Sequence, residues 1–281
     1  MWQPRLIIMR HLKQISAQRL PESRSGKAAF TLVELLVVLA IIAILASLLS
    51  TALNHTKAKA HRITCLSNLR VLQIGWFLYA DEMDDQLPLN KTTSSSNDRV
   101  LGRRSAANSW VVGNPREDVT VANILMGSLF PYTRSTAVYR CPADSSAVIG
   151  PNAERRNRSY SMSACMNGDD AGIDPRVKTR YTEIVAPSPD KVFVFIEEHE
   201  ASIWLGSFEV PAKEKFSLAS ASWTSTPSDR HNQGCNLSFA DGHVEYWKWF
   251  WPKKFTLDSG LTVSQQELRD LKRLQESVPK P

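Results

Sequence analysis

From Phe30 to Leu53 the chain reads FTLVELLVVLAIIAILASLLSTAL, with Glu34 as its one ionisable side chain. From Leu35 to Asn54 there is no charge at all. About 20 consecutive apolar residues suffice for a helix to cross the hydrocarbon core of a bilayer. Backbone amides and carbonyls find no partner in lipid, so a lone span is helical whatever the β-propensity of its valines and isoleucines. One transmembrane helix over 30–53 is therefore predicted. Glu34 is the exception within it. A carboxylate costs roughly 3 kcal/mol at the centre of such a helix and less near its end, so it needs a cation at its own depth or a way back to the interface.

The segment before the span, residues 1–29, carries Arg5, Arg10, Lys13, Arg19, Arg24 and Lys27 against Glu22. The whole chain is +6, so without this leader it is close to +1. The basic character belongs to the leader, and no nucleic-acid surface is expected. Cations on this side favour an N-terminus in the cytoplasm.

Behind the span, residues 55–80 contain no proline and one glycine, Gly75. Ile63, Leu66, Leu69, Leu72 (or Val71), Trp76 and Tyr79 recur at helical spacing, so one helix over 30–80 is predicted, about 75 Å long at 1.5 Å per residue. The apolar face of its second half needs a globular domain to cover it. Asp81 to Asp85 reads as an acidic turn. A Ca²⁺ site there lacks the spaced acid pattern and the loop glycine.

Residues 81–262 read as that domain. Trp110-Val111-Val112 and Ser159 to Ser163 are short strand candidates, and 123–132 a short helix. Lys191 to Ile196 is a continuous apolar run of the kind found in a buried central strand. Asp241-Gly242 between two alternating runs predicts a two-residue hairpin turn, with Phe239 opposite Val244 and Leu237 opposite Tyr246. Cys235, Leu237, Phe239, Val244 and Tyr246 then form the core face. In the last segment, 263–281, Ser264 and Glu267 form a capping box, with Val263 and Leu268 as a hydrophobic staple. Leu268, Leu271 and Leu274 give the short helix its docking face.

Lys27-Ala28-Ala29 followed by Phe30-Thr31-Leu32-Val33-Glu34 resembles the N-terminus of type IV pilins and type II secretion pseudopilins, with Ala29 standing where that family has glycine. The resemblance implies cleavage between Ala29 and Phe30 by a prepilin peptidase and N-methylation of Phe30. It implies that Glu34 pairs with the new amine of a neighbouring subunit. It also implies a bacterial inner-membrane location, an extracytoplasmic domain, and, as partners, other pilin or pseudopilin subunits and the secretion-system inner-membrane platform. His231, nine further residues and then Asp241-Gly242 resemble the His-x9-Asp-Gly C-terminal motif of a large group of prepilin-type proteins. Cys65 to Arg70, Cys141 to Asp144 and Ser159 to Met162 match that group in place and order.

Several side chains invite other chemistry. Glu197, Glu198, His199 and Glu200 at the exit of the apolar run could bind a metal. His231, Asp241 and His243 with Ser238 invite a catalytic reading, but no strained elbow or oxyanion hole accompanies the serine. The structural reading has His231 hydrogen-bonded to Asp241, holding the incoming loop against the turn. Cys65, Cys141, Cys165 and Cys235 lack C-x-x-C spacing, so no zinc or redox motif is expected. An even count in an exported domain permits disulfides. Pairing the two motif cysteines gives Cys65–Cys141 and leaves Cys165–Cys235; free buried thiols are the alternative. The chain is thus expected to be α+β. A long N-terminal helix packs on a small antiparallel-sheet domain with a C-terminal helix, acting as a structural subunit without enzyme activity, cofactor or metal. The rival is a membrane-tethered enzyme or a metal- or ligand-binding domain that uses the pilin route for export.

Overall fold

The computed structural model describes residues 31–94, 103–151, 153–212, 223–253 and 264–281. Two compact units divide the chain, one up to Ser50 and one from Thr51 to Pro281. Helix α1, Leu32–Glu82, runs through the boundary.

In the first unit every described side chain is exposed. Leu32–Ser50 is long and apolar enough to cross a membrane. The helix start is capped from within. Thr31 N and Oγ1 donate to Glu34 Oε2 at 2.9 and 2.8 Å, and Glu34 N donates to Thr31 Oγ1 at 3.2 Å. A hydroxyl and a carboxylate three residues apart thereby satisfy orphan donors at the helix end reciprocally. The Thr-x-x-Glu pattern in Phe-Thr-Leu-Val-Glu is the sequence signal of this device.

The second unit is built on a five-stranded sheet in the order β5-β3-β4-β6-β7. Its strands are β3 (Tyr160–Ser163), β4 (Phe193–Glu197), β5 (Ser207–Phe208), β6 (Gly234–Phe239) and β7 (Val244–Lys248). Among the described strand pairings of this sheet, β3–β5 is parallel and the others are antiparallel. A separate hairpin joins β1 (Thr92–Ser94) to β2 (Arg103–Ser105). Two single-turn helices, α2 (Ala122–Leu125) and α3 (Phe130–Thr133), stand where one helix was expected. Trp110 to Val112 is not a strand, although Ser109 and Gly113 on either side form single bridges. Trp110 is instead a core anchor. Its Nε1 donates to Gly206 O at 2.9 Å, and its ring lies edge-on to Phe195.

The apolar run predicts a central strand, and β4 is central, buried at every residue. On α1 the covered stripe is Cys65, Leu69, Leu72, Trp76 and Ala80, at steps of four, three, four and four residues. Ile63 lies outside it and is exposed. Gln73 shares the buried side, where Ser238 Oγ of β6 donates to its Oε1 at 2.8 Å. The helix thus rests on the sheet through both apolar and polar contacts. Past Glu82 the acidic residues turn back, with Asp84 and Asp85 in the left-handed region. Asp85 accepts from Thr182 Oγ1 at 2.5 Å.

The last hairpin differs from expectation by one residue. Ser238 pairs with Val244, Leu237 with Glu245 and Cys235 with Trp247. The connection is not a two-residue turn. Gly242 N donates to Phe239 O and Phe239 N to His243 O, with Gly242 at φ +98°. That is the longer hairpin loop in which a turn is followed by a positive-φ residue. A one-residue shift moves every side chain of a strand to the other face. So buried Trp247, rather than Tyr246, shares the face of Cys235 and Leu237. A Cβ on Gly242 would meet Phe77 Cε2 at 3.1 Å. Gly242→Ala is expected to cost roughly 1–2 kcal/mol, read as a lower denaturant midpoint at unchanged slope.

Helix α4 (Gln265–Glu276) closes the chain. Ser264 Oγ accepts from Glu267 N at 3.1 Å, as the capping signal predicts. The Glu267 carboxylate does not complete the box; it accepts from Trp223 Nε1 at 2.7 Å. Leu271 and Leu274 are buried as expected, and Asp270 is buried beside them. Val263, the expected staple partner of Leu268, lies outside the described residues.

Candidate functional site

Four segments of the second unit converge on one buried point. Helix α1 contributes Cys65, and the turn after the 3-10 segment Thr136–Tyr139 contributes Cys141. Glu197 is the last residue of β4, and His231 lies in the turn that enters β6. The donor atoms lie within 4.8 Å of one another, and all four residues are buried. Cys65 Sγ is 2.7 Å from Cys141 Sγ and 3.1 Å from Glu197 Oε1. His231 Nε2 is 3.0 Å from Glu197 Oε1 and 3.4 Å from Cys141 Sγ.

A surrounding shell fixes each member. Asn236 N and Nδ2 donate to Glu197 Oε2 at 2.8 and 3.2 Å, leaving Oε1 turned to the cluster. Tyr160 OH donates to Cys65 Sγ at 3.2 Å. Tyr246 OH donates to His231 O at 2.7 Å. Cys141 N donates to Ser159 Oγ, which in turn donates to Asp144 Oδ2. The adjacent Arg230 lies 3.6 Å from Asp144 Oδ2 and donates to Glu198 O at 2.7 Å. Burial works against the charge of His231, but its hydrogen bonds to Cys141 and Glu197 carry its pKa up to about 9. Burial likewise tends to raise Glu197, and the hydrogen bond and charge of His231 outweigh it, holding that carboxyl below its ordinary range. The Cys65 thiol is raised by burial.

His231 therefore does not bond to Asp241. The two sit at opposite ends of β6, a strand roughly 20 Å long at about 3.3 Å per residue. Asp241 pairs instead with His243, Oδ1 to Nδ1 at 2.5 Å, on the exposed turn. Ser238 contacts neither histidine among the described residues; it donates to Gln73 and accepts from Phe195 N at 3.1 Å. No nucleophile–base pair of the kind acyl transfer requires is assembled there.

Nor does the run Glu197 to Glu200 converge. Successive residues of a strand point to opposite faces. Glu197 faces the cluster, while Glu198 accepts from Ser161 and Ser202 Oγ at 2.5 and 2.9 Å, where burial pushes its pKa up to about 8. All four cysteines are thiols in the structure. Cys65 and Cys141 meet, as their motifs suggest. Cys165 and Cys235 do not pair with each other: the first has Asp174, Arg176 and Lys178 around it, the second Glu197, Arg230 and Lys253. What the sequence reading missed is Glu197 as the partner of His231. The available signal was a carboxylate at the exit of the central strand, beside the strand that His231 enters.

The second feature is the N-terminal one: Thr31, the capped Glu34 and the exposed apolar helix behind them. The expected cleavage point between Ala29 and Phe30 lies outside the described residues. Residues 24–50 match the family model described as the prokaryotic N-terminal methylation motif. Neither a curated protein nor a solved structure matches the chain. The chain thus carries a prepilin-type methylation motif directly before and within a helix able to cross a membrane once.

Proposed function

We propose that this chain is a structural, pilin-like subunit of a type II secretion or type IV pilus-related assembly. The observation that carries the reading is the methylation-motif match over residues 24–50, joined to a helix whose apolar residues are exposed from Leu32 to Ser50. A prepilin peptidase removes residues 1–29 and methylates Phe30. The span holds the second unit on the far side of the cytoplasmic membrane. Other pilin or pseudopilin subunits cover the apolar helix once the chain leaves lipid. Ser238, the serine of the catalytic reading, is bonded to Gln73 and to Phe195 N, so that reading draws no support from it.

In this reading Glu34 has two successive partners. In the isolated chain its carboxylate caps the helix through Thr31. In the assembly it meets the methylated amine of Phe30 from a neighbour. Glu34→Gln separates the roles, because an amide oxygen still accepts from Thr31 but offers no charge. The variant is expected to be cleaved normally, giving a mature chain that begins at methylated Phe30 by mass spectrometry, and to be strongly depleted from cross-linked assemblies. Normal incorporation of Glu34→Gln would leave the carboxylate only its capping role. A chain that keeps Met1 in membranes with an active prepilin peptidase would end the processing proposal.

A further inference from the structure

We propose that Cys65, Cys141, Glu197 and His231 form a structural zinc site that ties α1 to the sheet. The donor set is two thiols, one imidazole and one carboxylate, the ligand types that hold Zn²⁺ in four-coordinate protein sites. All four donor atoms lie within 4.8 Å of one another, and all four residues are buried. Around a tetrahedral ion with bonds of about 2.0–2.3 Å, ligand atoms stand roughly 3.3–3.8 Å apart. The Glu197–His231 and Cys141–His231 separations, 3.0 and 3.4 Å, are close to that. The two sulfurs, at 2.7 Å, need to open by about 1 Å to admit the ion.

The surroundings fit a metal better than a cystine. A disulfide uses two of the four groups and leaves Glu197 and His231 as a bare buried pair. A metal uses all four. Asn236 holds the second oxygen of Glu197, and Tyr160 donates to the Cys65 sulfur. Such outer contacts orient and tune metal ligands. Two thiolates and a carboxylate around a dication leave one net negative charge, and the mostly covered Arg230 guanidinium, shared with Asp144 and Glu200, also acts on Glu197 and Cys141. The carboxylate disfavours copper(I), which prefers soft ligands throughout. With four protein ligands there is no open position, so the site is structural rather than catalytic. Uptake of Zn²⁺ expels the protons of both thiols and, where His231 starts as imidazolium, its proton as well. No electron is transferred and no oxidant is needed.

The absence of C-x-x-C spacing does not argue against this site. Each ligand comes from a different segment, and the sheet rather than a short knuckle brings them together. The site is independent of the processing proposal, because it lies wholly within the second unit.

The test uses the full chain in detergent, reduced and then exchanged into zinc chloride. About one zinc per chain is expected by elemental analysis, and cobalt(II) is expected to give thiolate charge-transfer bands with the d–d absorption of a tetrahedral ion. Chelation should lower the melting temperature, and zinc should restore it. Cys141→Ser and His231→Ala should lose the metal, while Cys165→Ser keeps it. Asn236→Ala, which retains all four ligands, should bind about 10–100-fold more weakly. These variants are read only where circular dichroism shows a folded chain; the wild-type stoichiometry decides the question without them. Reduced wild-type chain that takes up neither zinc nor cobalt overturns the proposal. So does peptide mapping of envelope-derived protein that finds Cys65 and Cys141 joined in a disulfide.

Discussion

Asp270→Ala is expected to destabilise the fold by roughly 3–5 kcal/mol, the cost of stranding one member of a buried ion pair. The Asp270 carboxylate on α4 and the Lys253 ammonium lie 2.5 Å apart, both side chains fully buried. Asp270 also accepts from Phe250 N at 3.0 Å and from Trp251 N at 3.1 Å. Removing it takes this acceptor from two amides and from the buried ammonium. Burial already holds the Lys253 pKa below the ordinary lysine value, with Asp270 acting in the opposite sense. Without Asp270 the lysine is expected to lose its proton or draw in water, and α4 to loosen with it. The double variant Lys253→Met with Asp270→Leu should recover most of the loss, because no buried charge remains. Denaturant unfolding of the three proteins checks this. An Asp270→Ala protein as stable as the parent would show that leucine packing alone docks the helix.

The second large effect is expected at Trp76. It is fully buried on α1 and meets Phe77 and Tyr181 edge-on, with ring centroids 5.4 and 5.8 Å away. Trp76→Ala should cost about 3–5 kcal/mol through lost burial and the cavity left behind. Ile63→Ala, two residues before the covered stripe and exposed on the other side of the helix, should stay within about 0.5 kcal/mol. Similar losses from both would place Ile63 in a packed interface formed in the sample. Both can be measured by thermal or denaturant unfolding of the full chain in the same detergent.

The features legible in the sequence share one physical cause: each lies in a single stretch. The span is apolar from Leu35 onward, β4 is apolar from Phe193 to Ile196, and Leu69, Leu72 and Trp76 fall at helical spacing. Ser264 before Glu267 marks the start of α4, and Asp241-Gly242 marks the turn. The register of that turn was not legible. Alternation fixes a register only where one face meets water, and β6 is buried at all six residues, so both faces are covered. Tyr246 and Trp247 are each plausible occupants of a core face, and the pattern cannot choose between them.

The cluster escaped for the complementary reason. Its members are spread from residue 65 to residue 231, and linear spacing links His231 to nearby Asp241 instead of to Glu197. The neighbours Glu197 and Glu198 looked like one acidic group. The strand separates them, sending one carboxylate to His231 and the other into a serine-lined pocket. Trp110 to Val112 does not form a strand because its backbone bonds go to separate segments, Trp110 N to Leu89 O and Val112 N to Asn123 O, and no continuous ladder results.

The interval between His231 and Asp241-Gly242 is a ruler. It counts one turn, the six residues of β6 and the start of the next turn. What it measures is the length that keeps His231 level with Glu197 at one end of the strand while Gly242 reaches its positive φ at the other. Lengthening β6 by one residue exchanges its faces, so Asn236 no longer turns to Glu197. Lengthening it by two restores the faces but carries His231 about 7 Å along the strand, out of reach of both sulfurs. Substitutions between the two ends leave the measurement intact. Insertions after Gly242 do not enter it at all. The nine intervening residues are therefore held in number as well as, along buried β6, in kind.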